Sequence, residues 1–221
     1  MPVRLHVWGA QACFTRPEMK VERVSYPVLT PSAARGILEA IYWKPAICWR
    51  VERIHVLKPV HFQSIQRNEI SATISAASAL AAMQRGHTSG LGMEAEAFRQ
   101  QRTSLILVEV GYVIEARFDI LGNHGPGEGP GRHLAMFNRR ARLGQCFHRP
   151  FLGNREFAAE FALLGKDDPL PPSTLERRNA DFGWMLHDID FGNARQARFF
   201  RAILRDGIIE VPPFCHEAGL T

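Results

Sequence analysis

The segment "SLILVEVGYVIEARFDI", residues 104–120, constrains the fold more than any other stretch of the chain. Apolar, β-branched and aromatic side chains dominate it and charges enter only singly, which makes it the strongest strand signal in the sequence. It leads into a glycine-proline loop, "LGNHGPGEGPG", and then into a helix. Earlier segments predict its neighbours. Residues 3–8, "VRLHVW", alternate at period two and predict a first strand. The proline-containing stretch "TRPEMKVERVSYPVLTP" predicts a loop. Thr30 and Pro31 then supply an N-cap and a first-turn proline, and Ala34, Ile37, Leu38 and Ile41 form the stripe of an amphipathic helix that Pro45 ends. "AICWRVERIHVL" resumes a strand pattern through Leu57.

Residues 63–103 are mixed, with an alanine-rich run and "RGHTSGLG", and predict a long hairpin or mobile insertion without assigned elements. Beyond the second helix, "FLGNREFAAEFALL" precedes "DDPLPPSTLE", the best linker candidate in the chain. The remainder reads as a small antiparallel tail turning at Asp206-Gly207. The expected architecture is α+β: a split βαβ-type domain over residues 1–165 and a small β-rich C-terminal domain over 166–221.

With 221 residues, 46% of them apolar, the chain can bury a real core. A pI near 9.3 favours an acidic partner such as nucleic acid. Only four of the 27 cationic side chains are lysine, and guanidinium planes suit bidentate phosphate contacts and stacking on bases, although codon bias in a GC-rich genome gives the same composition. Cys13, Cys48, Cys146 and Cys215 are scattered with no CxxC pair, which indicates neither a zinc site nor a disulfide framework. "LHVWGAQA" imitates a signal peptide but is too short and is interrupted by His6, and Glu109 breaks the longest apolar run. A soluble cytoplasmic protein with no membrane partner is expected.

Residues 129–155 hold six arginines, His133 and His148, and no carboxylate. Such a block repels itself unless something anionic lies against it, and a polyphosphate backbone is the common candidate. A helical wheel over Arg132 to Gly144 places Leu134, Phe137 and Ala141 on a core face and Arg132, His133, Met136, Arg139 and Arg140 on a cationic face. A histidine in that stripe can move protons at neutral pH. The competing reading is a solvated face with an incidental histidine. In "ILEAIYWKP", Tyr42 lies at the edge of the apolar stripe with Arg35 and Lys44 nearby, and the competing reading is a buried ring with its hydroxyl satisfied. Trp43 is expected to pack rather than stack on a base. The sequence holds no Gly-x-Ser-x-Gly, no His-Glu-x-x-His and no tight carboxylate cluster, so no metal or cofactor is expected.

"VSYPVLTPSAARGILEAIYWKPAICW" and "GPGRHLAMFNRRARLGQCFHRPFLGNREF", in this order, resemble the CRISPR-associated Cas-five family of the RAMP superfamily, and its subtype I-C members in particular. The resemblance covers residues 3–165 and extends more loosely to the end. It implies a ferredoxin-like N-terminal domain with a glycine-containing loop around Leu152, Gly153 and Asn154. It also implies a metal-independent endoribonuclease that cuts CRISPR precursor RNA at the 3′ base of the repeat hairpin. The 5′ handle of the crRNA then stays bound within an interference complex, alongside a backbone-forming and a large subunit. The family's catalytic tyrosine and adjacent lysine-histidine pair fall on Tyr42, Arg132 and His133, with arginine standing where the family has lysine.

A guanidinium does not release a proton at neutral pH, so Arg132 is expected to clamp the anion while His133 and Tyr42 handle protons. Folding is expected to bring the phenol and the imidazole to opposite sides of one RNA strand. Arg35, Lys44, Arg139, Arg140, Arg142, Arg149, Gly153 and Arg155 are the expected RNA contacts. Two rivals remain: a non-catalytic scaffold that only holds the crRNA handle, and a basic domain that binds duplex DNA without sequence preference, which is compatible with either.

Overall fold

The structure, a computed structural model, describes residues 2–121, 129–190 and 195–213. The glycine-proline loop predicted before the second helix lies mostly outside them. Two compact units are present, one made of Met1–Gln63 with Leu105–Thr221 and the other of Ser64–Ser104.

In the larger unit the elements follow as β1 (Val3–Ala12), α1 (Pro31–Ile41) and β2 (Ile47–Val56). The smaller unit holds most of β3 (Phe62–Ile70), all of α2 (Ala76–Arg85) and the start of β4 (Arg99–Ile120). After β4 come α3 (Pro130–Arg142), β5 (Glu160–Leu164), β6 (Ala180–Asp190), β7 (Gln196–Arg205) and β8 (Ile208–Glu210). The main sheet runs β5-β1-β4-β2-β8-β7-β6, and the pairings along it are antiparallel. The fold is α+β with few helices, as the sequence predicts.

The period-two and stripe patterns explain these elements. Val3, Leu5 and Val7 turn one face of β1 inward, and β4 buries Val113, Ile114 and Ala116 in succession because it is central, between β1 and β2. Helix α1 starts where Thr30 Oγ1 accepts from the Ala33 amide at 3.3 Å and Pro31 fills the first turn. Its stripe of Ala34, Ile37, Leu38 and Ile41 is fully buried, and each Ile or Leu so placed contributes about 1.5–3 kcal/mol. The helix ends at Tyr42, whose φ of −153° is already extended, so the chain leaves it ahead of Pro45.

Residues 63–103 form more structure than the sequence predicts. Ser75 caps α2 by accepting from Ser78 N at 3.1 Å, and Gly86 closes it with φ +74°. Ala82 is its buried residue, so the helix rests on alanine propensity and its caps and shows little apolar periodicity. The predicted hairpin is present as the pairing of β3 with the start of β4.

The tail turns where expected. Asp206 and Gly207 both take positive φ, 51° and 83°, the two-residue turn that matches strand twist in a hairpin. Its last strand pairs with β2 on one side and β7 on the other, so the main sheet continues across the boundary expected at residue 165. Among the described residues no helix is long and apolar enough to cross a membrane.

Candidate active site

Tyr42 is presented by the end of α1 and His133 by the first turn of α3, and the two side chains meet. The Tyr42 hydroxyl lies 2.8 Å from His133 Nδ1 in a buried hydrogen bond. This corrects the expectation that they would face each other across a strand: they touch, which leaves no room for a strand between them. It also corrects the helical wheel. His133 is only 3% exposed, and the inward stripe of α3 is His133, Phe137 and Ala141, at i, i+4 and i+8. An imidazole can join a core stripe when a partner satisfies a ring nitrogen, and the phenol does so here.

An aromatic cluster fixes this geometry. Trp49 from β2 packs 4.8 Å from Phe137 and 5.2 Å from Phe118, ring centre to ring centre, which ties α3 to the sheet. Trp49 Nε1 donates to the Tyr42 carbonyl at 2.9 Å, and the Phe118 ring stands edge-on to His133 at 6.2 Å. Arg140 donates to the Ile41 carbonyl at 3.1 Å and carries its guanidinium carbon 5.4 Å from the Tyr42 ring centre. A cation over a ring and a bond to the last carbonyls of a helix both favour this placement. Sequence reading assigned neither Trp49 nor Phe118. The (i, i+4) pair of Trp49's neighbour Phe137 with His133 was the available signal.

His133 Nε2 is buried and has no hydrogen-bond partner among the described residues. A buried ring nitrogen left unpaired costs about 1–3 kcal/mol, a cost usually tolerated where a ligand will supply the partner. The cavity here is about 180 Å³ and is lined by Tyr42, Lys44, Arg132, His133, Met136 and Arg140. Among the described residues that line it, three are cations and none is a carboxylate, which suits a phosphate group. Among the described residues no three His, Cys, Asp or Glu side chains are grouped to hold a metal ion.

Residues 3–212 match the Cas_Cas5d family, described as CRISPR-associated protein (Cas_Cas5). The chain belongs to this family. A relative from Mannheimia succiniciproducens named CRISPR pre-crRNA endoribonuclease Cas5d is 54% identical over 97% of this chain and 96% of its own. One of the same name from Thermus thermophilus is 40% identical over 95% of this chain and 91% of its own. A solved CRISPR-associated protein superposes with a TM-score of 0.69 at 22% identity, covering 96% of this chain and 92% of the other. A chain of a CRISPR RNA-guided surveillance complex reaches 0.55 at 12% identity, with 96% and 91% covered. These two likenesses are of fold.

The remaining expected contacts of this Cas5d-family chain divide. Lys44 and Arg140 join Tyr42, Arg132 and His133 in one cavity. Arg139 and Arg142 are exposed on α3, and Arg155 is exposed after the glycine turn. Arg149 is exposed but paired with Glu160. Gly153 takes φ +85° and lies against Cys13, where any side chain would overlap the Cys13 carbonyl. Arg35 does not join the cavity. Its guanidinium is held by Asp188 at 2.7 and 2.9 Å and by Glu39 at 2.8 and 2.9 Å, so its charge is neutralised within the fold.

Proposed function

We propose that this chain is a metal-independent endoribonuclease that cuts CRISPR precursor RNA at the 3′ base of the repeat hairpin. It then keeps the 5′ handle of the crRNA as a subunit of a type I-C interference complex in the cytoplasm. The observation that carries this reading is the 2.8 Å contact between the Tyr42 hydroxyl and His133 Nδ1 beside a cavity lined by Lys44, Arg132 and Arg140. The names of the two relatives support it. On the same reading residues 1–165 form a ferredoxin-like RAMP domain and residues 166–221 its small β appendage.

The ribose 2′-oxygen forms a bond to the adjacent phosphorus as the bond to the 5′-oxygen breaks, leaving a 2′,3′-cyclic phosphate and a 5′-hydroxyl. One proton leaves the 2′-hydroxyl and one reaches the departing oxygen. The Tyr42–His133 pair can serve either need. When the phenol donates to Nδ1, Nε2 of the neutral ring carries the proton and donates; when Nδ1–H donates to the phenol oxygen, Nε2 accepts. The second proton exchanges with solvent. Arg132 and Lys44 neutralise the charge that builds on the non-bridging oxygens, and both are cations already placed before the reaction begins. Tyr42 therefore positions and polarises the ring, and Nε2 touches the reacting atoms.

The test is to incubate the protein with repeat hairpin RNA in excess EDTA, beside a copy with one 2′-deoxy sugar at the scissile position. Cleavage of the first alone, ending in a cyclic phosphate, is expected. Cutting of the deoxy copy, or full loss of cutting in EDTA, would overturn the mechanism.

A further inference from the structure

Phe147 is 87% exposed, the most exposed of the large apolar side chains among the described residues, and its backbone is pinned rather than loose. Its amide donates to the Ala40 carbonyl at 2.7 Å, two residues before Tyr42. The Phe147 ring stands 6.1 Å from the His148 ring, and His148 stacks at 6.1 Å and 26° on Phe151. Phe151 in turn lines a separate cavity of about 320 Å³ with Thr30, Ser32, Gly36, Gly153 and Asn154. Helix α1 joins the two places: Tyr42 follows its C-terminal end and Thr30 caps its start, about 18 Å apart at 1.5 Å per residue. Main-chain bonds from Ala159 N to Pro150 O and from Leu152 N to Phe157 O hold the rest of the segment.

A fixed row of two exposed rings, Phe147 and His148, and one half-buried ring, Phe151, in a stretch that also exposes Arg139, Arg142 and Arg155, has the makings of a single-strand platform. Every base offers a π-face, and the cations follow the phosphates. A protein partner fits less well, because residues 129–155 carry six arginines and no carboxylate of their own, and Glu160 answers one of those arginines. Resting on the nuclease reading above, we propose that Phe147, His148 and Phe151 are positioning residues that stack successive unpaired bases of the RNA strand running from the Tyr42–His133 cavity to the Gly153 cavity. The row holds the strand in register, so the scissile phosphate comes to rest beside His133.

The test uses repeat hairpin RNA with its single-stranded 3′ flank, made uncleavable by one 2′-deoxy sugar, with 2-aminopurine placed in turn at each unpaired position within three nucleotides of the cut. The unaltered protein is expected to quench the probe at two or more consecutive positions. Phe147→Ala is expected to raise Kd about tenfold and to abolish the quench at one position, a loss that Phe147→Trp restores and Phe147→Leu does not. On cleavable RNA the same variant raises KM and leaves kcat within about twofold. Because the side chain is exposed, these variants fold. Unaltered binding and quenching by Phe147→Ala, with cleavage by the unaltered protein intact, overturn the row alone. Unaltered RNA affinity with lost association of another complex subunit also overturns it, in favour of a protein contact. An unaltered protein that neither binds nor cuts the RNA removes both readings.

Discussion

Helix α1 carries two polar clusters of opposite design. Half-way along it, Arg35 is surrounded: burial opposes its charge, yet Asp188 and Glu39 outweigh that and hold the guanidinium above its usual range. Just past its end, Tyr42 meets His133 in a cavity that Lys44, Arg132 and Arg140 line, and among the described residues the far nitrogen of the imidazole has no hydrogen-bond partner. The first cluster is complete without any other molecule. In the reading proposed above, the second also takes up an anion and a group that exchanges a proton with Nε2. Arg35 is thus held within the fold because β6 brings a carboxylate, Asp188, to it.

The sharpest way to break that contrast is His133→Ala. If Nε2 moves a proton in the reaction, single-turnover cleavage of repeat RNA falls by about 10²- to 10⁴-fold, with RNA affinity nearly unchanged. Retention of the unaltered rate would remove His133 from the catalytic role. Arg132→Ala comes next, with a loss of about 10²-fold that Arg132→Lys largely recovers, because a lysine supplies both the charge and a proton. A lysine variant as slow as the alanine one would show that the planar fork, not the charge, is what the phosphate needs.

Asp188→Asn probes the completed cluster. It leaves a partly buried guanidinium with Glu39 alone, so unfolding stability should fall by about 2 kcal/mol, read by chemical denaturation. The cleavage rate at a temperature where the variant stays folded should not change. A variant of full stability but altered RNA affinity would return Arg35 to the RNA contacts predicted for it.

Much of the frame was legible. Strand periodicity found β1, β2 and β4, and the Thr30-Pro31 start with its apolar stripe found α1, since these signals are local and the core rewards them. The same locality explains the misses. Glu39 sits four residues after Arg35 and was available as a warning, but Asp188 lies 153 residues away and no local pattern reveals it. The helical wheel groups His133 with the cationic face of α3, and the phenol that draws it inward is 91 residues distant. The smaller unit is hard to read because β3, "FQSIQRNEI", buries no residue fully on either face, and α2 buries one alanine. Tyr42, Arg132 and His133 were named together only through the family resemblance, which carries the tertiary information that periodicity lacks.

The smallest expected effect tests what joins the two clusters. Thr30→Ala removes the side-chain acceptor for the Ala33 amide, and such caps contribute about 1 kcal/mol. Thr30→Ser keeps the acceptor and should be near neutral. Because the cap acts on the whole helix, the loss should appear as global destabilisation, with Tyr42 and Arg35 affected alike and cleavage by the folded fraction unchanged. Thr30 also lines the cavity beside Gly153, where the proposed base-stacking row ends. If Thr30→Ala lowered RNA affinity several-fold while denaturation showed only the small stability change, that end of the helix would touch the strand directly. The division of α1 into one closed cluster and one open one would then have to be redrawn with an open site at both ends.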